Sequence, residues 1–178
     1  MNGAHALVLF VVVERLSELF YASRNERVLR SRGGIEAGRS HYPLIVLMHG
    51  AWLVAIVAAL QPDERLHLLP LSLFAALQLL RFWVVKTLGP FWTTRVITVQ
   101  GEPLVRTGPY RFVRHPNYLI VIGEIALLPL VFGQVRTAFV FSIANLLMVA
   151  WRIRVENEAL APRAGLPSRS PSTEARLQ

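Results

Sequence analysis

Gly108-Pro109-Tyr110-Arg111-Phe112-Val113-Arg114-His115-Pro116-Asn117-Tyr118 sets a dense polar cluster directly before a long apolar run, and this junction decides how the chain is read. A plain membrane anchor has no use for such a cluster. Pro116 suits the first position of a helix, because its missing N–H would have no intrahelical partner there. His115 then falls at the cap, with Asn117 and Tyr118 in the first turn. The free backbone N–H groups, the positive end of the helix dipole and Arg114 together suit an anion such as a carboxylate or phosphate. Read without function, the same residues anchor a helix at headgroup level, with Tyr110 and Tyr118 in an interfacial aromatic belt.

The run after Pro116 is one of five apolar blocks, roughly residues 4–21, 43–60, 68–88, 116–132 and 137–151. Each approaches the length needed to cross about 30 Å of hydrocarbon when tilt or thinning is allowed. The 178 residues are 53% hydrophobic and only 17% charged, with a mean hydropathy of +0.43. The expected fold is therefore all-α: a polytopic bundle of about five transmembrane helices, the last two joined through Gly133-Gln134-Val135-Arg136 as a hairpin. The first block lacks a basic leader and contains Glu14, Arg15 and Glu18, which argues against a cleaved signal peptide. With no cysteine, disulfides, thiolate metal sites and a cysteine nucleophile are excluded, and no metal is expected.

The net charge of +8 is explained by where the arginines fall. Arg24, Arg27, Arg30, Arg32 and Arg39 lie between the first two blocks, Arg95, Arg106, Arg111 and Arg114 between the third and fourth, and Arg152, Arg154, Arg163, Arg169 and Arg176 after the fifth. The opposite connections offer Arg65 and Arg136. The positive-inside rule then puts the N-terminus outside and the C-terminus in the cytoplasm, so the charge marks topology and contact with membrane lipids, and nucleic acid is not an expected partner. Residues 1–160 read as a single membrane domain, with 89–160 as its cofactor-binding half. The Pro-rich segment 161–178 reads as a disordered tail.

Polar residues inside the blocks must face the bundle, since each costs a few kcal/mol in hydrocarbon unless paired. Arg81 with Glu124 or Glu18 suggests a stapling pair, and Glu124, seven residues past Asn117, doubles as a candidate substrate contact. Arg152 and Glu156 share a helical face that Asn145 continues toward the membrane interior, while Arg154 and Glu158 lie off it. By itself the pair is an ordinary ion pair. Val96-Ile97-Thr98-Val99 reads as a short extended piece, Gln100-Gly101-Glu102-Pro103 as a turn and Leu104-Val105 as a second apolar piece. His41-Tyr42-Pro43 opens the second block as His115-Pro116 opens the fourth.

Glu102-Pro103-Leu104-Val105, Gly108-Pro109-Tyr110 and Arg114-His115-Pro116-Asn117-Tyr118, followed by a hairpin and Arg152-Ile153-Arg154-Val155-Glu156, resemble the isoprenylcysteine carboxyl methyltransferase family over about residues 92–160. Glu14-Arg15-Leu16-Ser17-Glu18-Leu19, Ser23-Arg24-Asn25 and His41-Tyr42-Pro43 are similar to its bacterial subgroup acting on alkylpyrones and phenolic lipids. The resemblance implies a five-helix, bacterial cell-membrane methyltransferase that uses S-adenosyl-L-methionine at the cytosolic face and admits a lipophilic acceptor laterally from the bilayer. It implies cofactor contacts at Glu102, Pro103, Leu104, Val105, Tyr110, His115, Pro116, Asn117, Tyr118 and Glu156. Arg152 and His115 take the catalytic roles, and Arg152 and Glu124 the acceptor contacts. Asn157 stands where members commonly carry a second acidic residue. The acceptor is an isoprenylcysteine carboxylate or a small lipid hydroxyl, the latter favoured. An acidic acceptor needs only a positioning cation, whereas a phenol would call on His115 or Glu124 as base. The alternatives are an NADPH-dependent sterol-type reductase and a lipid-binding bundle without activity; oligomeric state is not legible.

Overall fold

The computed structural model describes residues 3–61 and 64–163. In chain order it comprises α1 (Gly3–Ser31), β1 (Ile35–Ala37), α2 (Tyr42–Ala58), α3 (Leu68–Leu88), β2 (Val96–Thr98), α4 (Pro116–Val131) and α5 (Val135–Leu160), with 3-10 turns at Gly89–Phe91, Gly108–Arg111 and Ala161–Arg163. The described residues are 75% helical. The expected tail lies outside the described residues from 164 onward. Its first residues, Ala161–Arg163, form a 3-10 turn closing α5.

Each helix ends for a local reason. α1 stops where Gly33 adopts φ 80°, a conformation that costs glycine little, so that Gly34 N–H reaches the Leu29 carbonyl at 2.9 Å. Pro43 and Pro116 open α2 and α4 just inside the start, as their sequence contexts predicted. Pro129, inside α4, cannot donate to the Ile125 carbonyl one turn back. The Trp52 indole N–H of α2 donates to that carbonyl instead, at 3.2 Å, so the proline ties two helices together.

The described segments Leu68–Phe91 and Val135–Leu160 are each long and apolar enough to cross a membrane, and α2 and α4 are shorter apolar helices. Phe20, Leu79 and Leu147 are 70% or more exposed on the outward faces of α1, α3 and α5. Such surfaces suit lipid better than water. Inside, Val8, Val11, Trp52, Ile56, Phe74, Ile125 and Leu128 form the main core, and Ala22, Val84, Trp92 and Ile120 a second cluster nearer the loops.

Between these clusters runs the interior ion network. Arg81 of α3 donates to Glu124 at 2.9 Å and to Glu18 at 2.7 Å, while Arg15 of α1 donates to Glu124 at 2.8 Å and to Glu18 at 3.0 Å. Gln78 adds a further donor to Glu124 at 2.9 Å. The expected pairing of Arg81 is thus made with both carboxylates at once, and three helices are joined by it.

The loop between α3 and α4 is fixed from several sides. β2 pairs antiparallel with β1, Glu36 opposite Ile97. Glu36 accepts from Arg95 at 2.6 Å and from Arg30, and Arg95 lies 4.1 Å from the centre of the Tyr42 ring. Asn25 of α1 donates to the Gly89 and Trp92 carbonyls at 3.0 and 2.9 Å. Gly108 turns the chain toward α4 at φ 54°, where a Cβ would stand 2.5 Å from Thr87 Oγ1.

Candidate functional site

Two cavities meet beside this loop. The outer one, about 600 Å³, lies between the 88–97 and 104–106 segments, Tyr110, the start of α4 and the end of α5. The inner one, about 320 Å³, reaches in between α1, α2 and α5. Trp92, Thr93, Asn117, Tyr118 and Arg152 line both, so these side chains form the partition between them.

The partition is held by one hydroxyl. Tyr118 is 8% exposed, and its hydroxyl donates to Glu156 while accepting from Arg152 Nε at 2.9 Å. Arg152 Nη2 donates in turn to the Thr94 carbonyl at 2.6 Å, and Thr94 Oγ1 lies 3.1 Å from the Tyr42 hydroxyl. Arg152, which lines both cavities, and Glu156, which lines the outer one, are therefore joined through a neutral phenol. The helical periodicity that puts Arg152 and Glu156 on one face of α5, one turn apart, makes this possible.

His115 closes the outer side. It stacks on Tyr118 with ring centroids 5.4 Å apart, its Nε2 lies 3.0 Å from Asn157 Oδ1, and its Nδ1 lies 3.6 Å from a Glu156 oxygen. The Glu156 carboxylate raises the His115 imidazole above its ordinary 6.5, against the opposing effect of burial. Burial first, and the Glu156 charge second, push the Tyr110 phenol up, so it remains neutral and able to donate. Asn157, the departure from the expected acidic residue, is thus a direct partner of His115.

Of the expected site residues, Leu104, Val105, Tyr110, His115, Asn117, Tyr118, Arg152 and Glu156 come together around the cavities. Glu102 and Pro103 do not line them, and Pro116 is buried at the root of α4. Glu124 corrects the expectation of an acceptor contact: it lines neither cavity, because Arg15, Arg81 and Gln78 occupy its carboxylate. Trp92, Thr94 and Tyr42 were not among the expected site residues. The aromatic pair Phe91-Trp92 after Gly89-Pro90, and the likeness of His41-Tyr42-Pro43 to His115-Pro116, were the available signals.

The model of the isoprenylcysteine carboxyl methyltransferase family matches residues 68–162, from the start of α3 through the end of α5. The uncharacterized protein YpbQ of Bacillus subtilis (strain 168) is 36% identical over 159 residues, covering 86% of this chain and 94% of its own length. An uncharacterized protein of Haemophilus influenzae is 28% identical over 168 residues, covering 90% of this chain and 95% of its own. No solved structure matches the chain. The match covers the helices and loop that build the outer cavity, and the chain belongs to the isoprenylcysteine carboxyl methyltransferase family, a family of membrane methyltransferases.

Proposed function

We propose that the protein is an integral-membrane O-methyltransferase that takes its methyl group from S-adenosyl-L-methionine at the cytosolic face, in a bacterial cell membrane, and transfers it to a lipophilic acceptor. The observation that carries this reading is the pair of cavities meeting at Tyr118, with Glu156 lining the outer one and Arg152 held on the partition between them. Members of the family use S-adenosylmethionine. The outer cavity fits that group in size and in donor set, since pockets for ligands of this size run to several hundred Å³. Its Trp92 Nε1 and Asn117 Oδ1 are buried without a hydrogen-bond partner among the described residues, as expected where a polar ligand completes the wall. Glu156, Tyr110 and Tyr118 would face its cationic portion, with aromatic rings favouring a sulfonium as they favour other cations. Arg114, His115 and the first-turn N–H groups of α4 would face its carboxylate. Bound there, it supplies a methyl group activated by a sulfonium.

The chain's own residues then have to align rather than react. Arg152, fixed at Nε and Nη2, presents its guanidinium at the partition, where an acceptor oxygen can be held in line with the neighbouring cavity. With that group bound, the acceptor oxygen held by Arg152 would take the methyl group as the sulfonium became a neutral thioether, and an acceptor held as an anion would leave neutral without giving up a proton. No general base is then required. His115 already has Asn157 at one ring nitrogen and Glu156 near the other. Glu124 is closed off in the ion network. The arrangement accordingly favours acceptors that ionise readily, a carboxylate or the acidic enol of a hydroxypyrone, over a plain phenol. Of these we favour the lipid enol, because the inner cavity is largely apolar yet is also lined by Asn145.

The test is transfer of labelled methyl from S-adenosylmethionine to an alkyl hydroxypyrone and to a farnesylated carboxylate, with protein in lipid nanodiscs. Labelled lipid ether or ester is expected, with Arg152→Ala lowering turnover at least tenfold. Absence of transfer to any lipophilic acid or enol would refute the reading.

A further inference from the structure

The reading above leaves one polar side chain of the inner cavity without a task. Asn145, on α5, is 1% exposed and lines the inner cavity, yet its Nδ2 has no hydrogen-bond partner among the described residues. Leu146, Leu147, Met148 and Val149 follow it, so an apolar residue would suit the position by composition. A buried amide left unpaired is costly, and more so where no water reaches it. Trp92 Nε1 and Asn117 Oδ1 are unpartnered as well, but they also line the outer cavity, whereas Asn145 lines the inner one alone. Arg15, Glu18 and Arg81 bind one another, and His49 Nδ1 lies 2.8 Å from the Ile45 carbonyl.

Asn145 also lies at an informative depth. It precedes Arg152 by seven residues, which is two helical turns on the same face and about 10 Å along the axis. Arg152 leans back toward it, as helical side chains do, but its bonds to Tyr118 and Thr94 keep the guanidinium at the partition. An acceptor oxygen held by Arg152 leaves the Asn145 amide, two turns away along α5, to a second group of the same molecule.

We propose that Asn145 donates a hydrogen bond to a second oxygen of the acceptor, lying across a ring from the oxygen that is methylated. This rests on the methyltransferase reading and names the acceptor class: a planar enolic ring lipid with an additional ring or carbonyl oxygen. S-farnesylthiopropionate presents only thioether and hydrocarbon beyond its carboxylate and leaves Asn145 unpaired. Sites built to hydrogen-bond a substrate group reject analogues that lack it far more strongly than apolar pockets reject small changes in shape. Asn145 is therefore a specificity-determining residue.

The experiment compares wild type, Asn145→Leu and Asn145→Ser in nanodiscs, using an alkyl hydroxypyrone and S-farnesylthiopropionate as acceptors. Titration calorimetry follows binding of S-adenosylhomocysteine and then of the hydroxypyrone to the loaded protein. The expected result for Asn145→Leu is a rise in KM and Kd for the hydroxypyrone of about ten- to a hundredfold. Binding of S-adenosylhomocysteine and any turnover of the farnesyl acid should stay within twofold, and Asn145→Ser, which keeps a donor, should recover part of the loss. Failure of folded wild type to bind S-adenosylhomocysteine would refute the methyltransferase reading itself. With that binding intact, an equal loss on both acceptors, no loss on the hydroxypyrone, or wild-type preference for the farnesyl acid would each overturn the Asn145 assignment.

Discussion

Replacing Tyr118 by phenylalanine removes one oxygen from the partition and little else. The ring that stacks on His115 at 5.4 Å is retained, so the shape of both cavities should persist. What is lost is the acceptor for Arg152 Nε and the donor to Glu156. A hydrogen bond to a charged group contributes about 1.5–3 kcal/mol. The two losses should not add, because Arg152 keeps the Thr94 carbonyl and Glu156 keeps His115. One such bond is the reasonable magnitude, about 1.5–3 kcal/mol, or roughly a ten- to hundredfold fall. The fall should appear in kcat/KM for the acceptor, since Arg152 loses its orientation at the reacting end. The Kd for S-adenosylhomocysteine should rise less than about fivefold, because His115, Tyr110 and Glu156 itself remain. Steady-state methyl transfer and titration calorimetry, with thermal unfolding in detergent as a folding control, read all three quantities. Unchanged kcat/KM in folded Tyr118→Phe, or a cofactor affinity that collapses while acceptor kinetics hold, would refute the idea that this hydroxyl couples the two cavities.

Further outcomes follow from the same contacts. His115, held above its ordinary 6.5 by Glu156, should contribute stability that is fully present below pH 6.5 and lost as pH rises through its raised value. In Glu156→Gln that loss should shift to lower pH, as read by imidazole NMR titration alongside melting temperature, and an unmoved titration would contradict the pairing. Arg81→Leu leaves Glu124 and Glu18 to share Arg15, and the one buried carboxylate charge left uncompensated should cost about 3–5 kcal/mol, seen as accelerated thermal inactivation in detergent. The surviving folded fraction should bind S-adenosylhomocysteine as wild type does, because Arg81 does not line the outer cavity. Gly108→Ala, strained at φ 54° and crowded by Thr87, should displace the Tyr110 segment and weaken S-adenosylhomocysteine binding several-fold by calorimetry.

The apolar blocks located the helices well but not their lengths. Hydropathy reports where lipid is tolerated, whereas α1 runs on past Tyr21 to Ser31 through Arg24, Asn25 and Glu26, and α5 past Trp151 to Leu160. Those polar extensions carry much of the site, Asn25 by pinning the loop and Glu156 by facing the outer cavity. β1 could not be read, because three residues of strand gain meaning only from a partner some sixty positions away. Arg152 and Glu156 were legible from spacing on one helix. Trp92 and Thr94 were not, since their roles come from where the loop is pressed against α1 and α5. Glu124 misled because spacing along α4 places it on the Asn117 face, while the arginines that claim it come from α1 and α3. The family match begins at residue 68, so α1 and α2, which build much of the inner cavity, are the part that generic family features describe least.

If the outer cavity holds S-adenosyl-L-methionine between the start of α4 and the end of α5, calorimetric titration of S-adenosylhomocysteine into purified wild type should find one saturable site. Glu156→Ala and His115→Ala should each bind at least tenfold more weakly, with folding retained. A folded wild type that binds no S-adenosylhomocysteine, or variants that bind it as well as wild type does, would rule out a cofactor in that cavity.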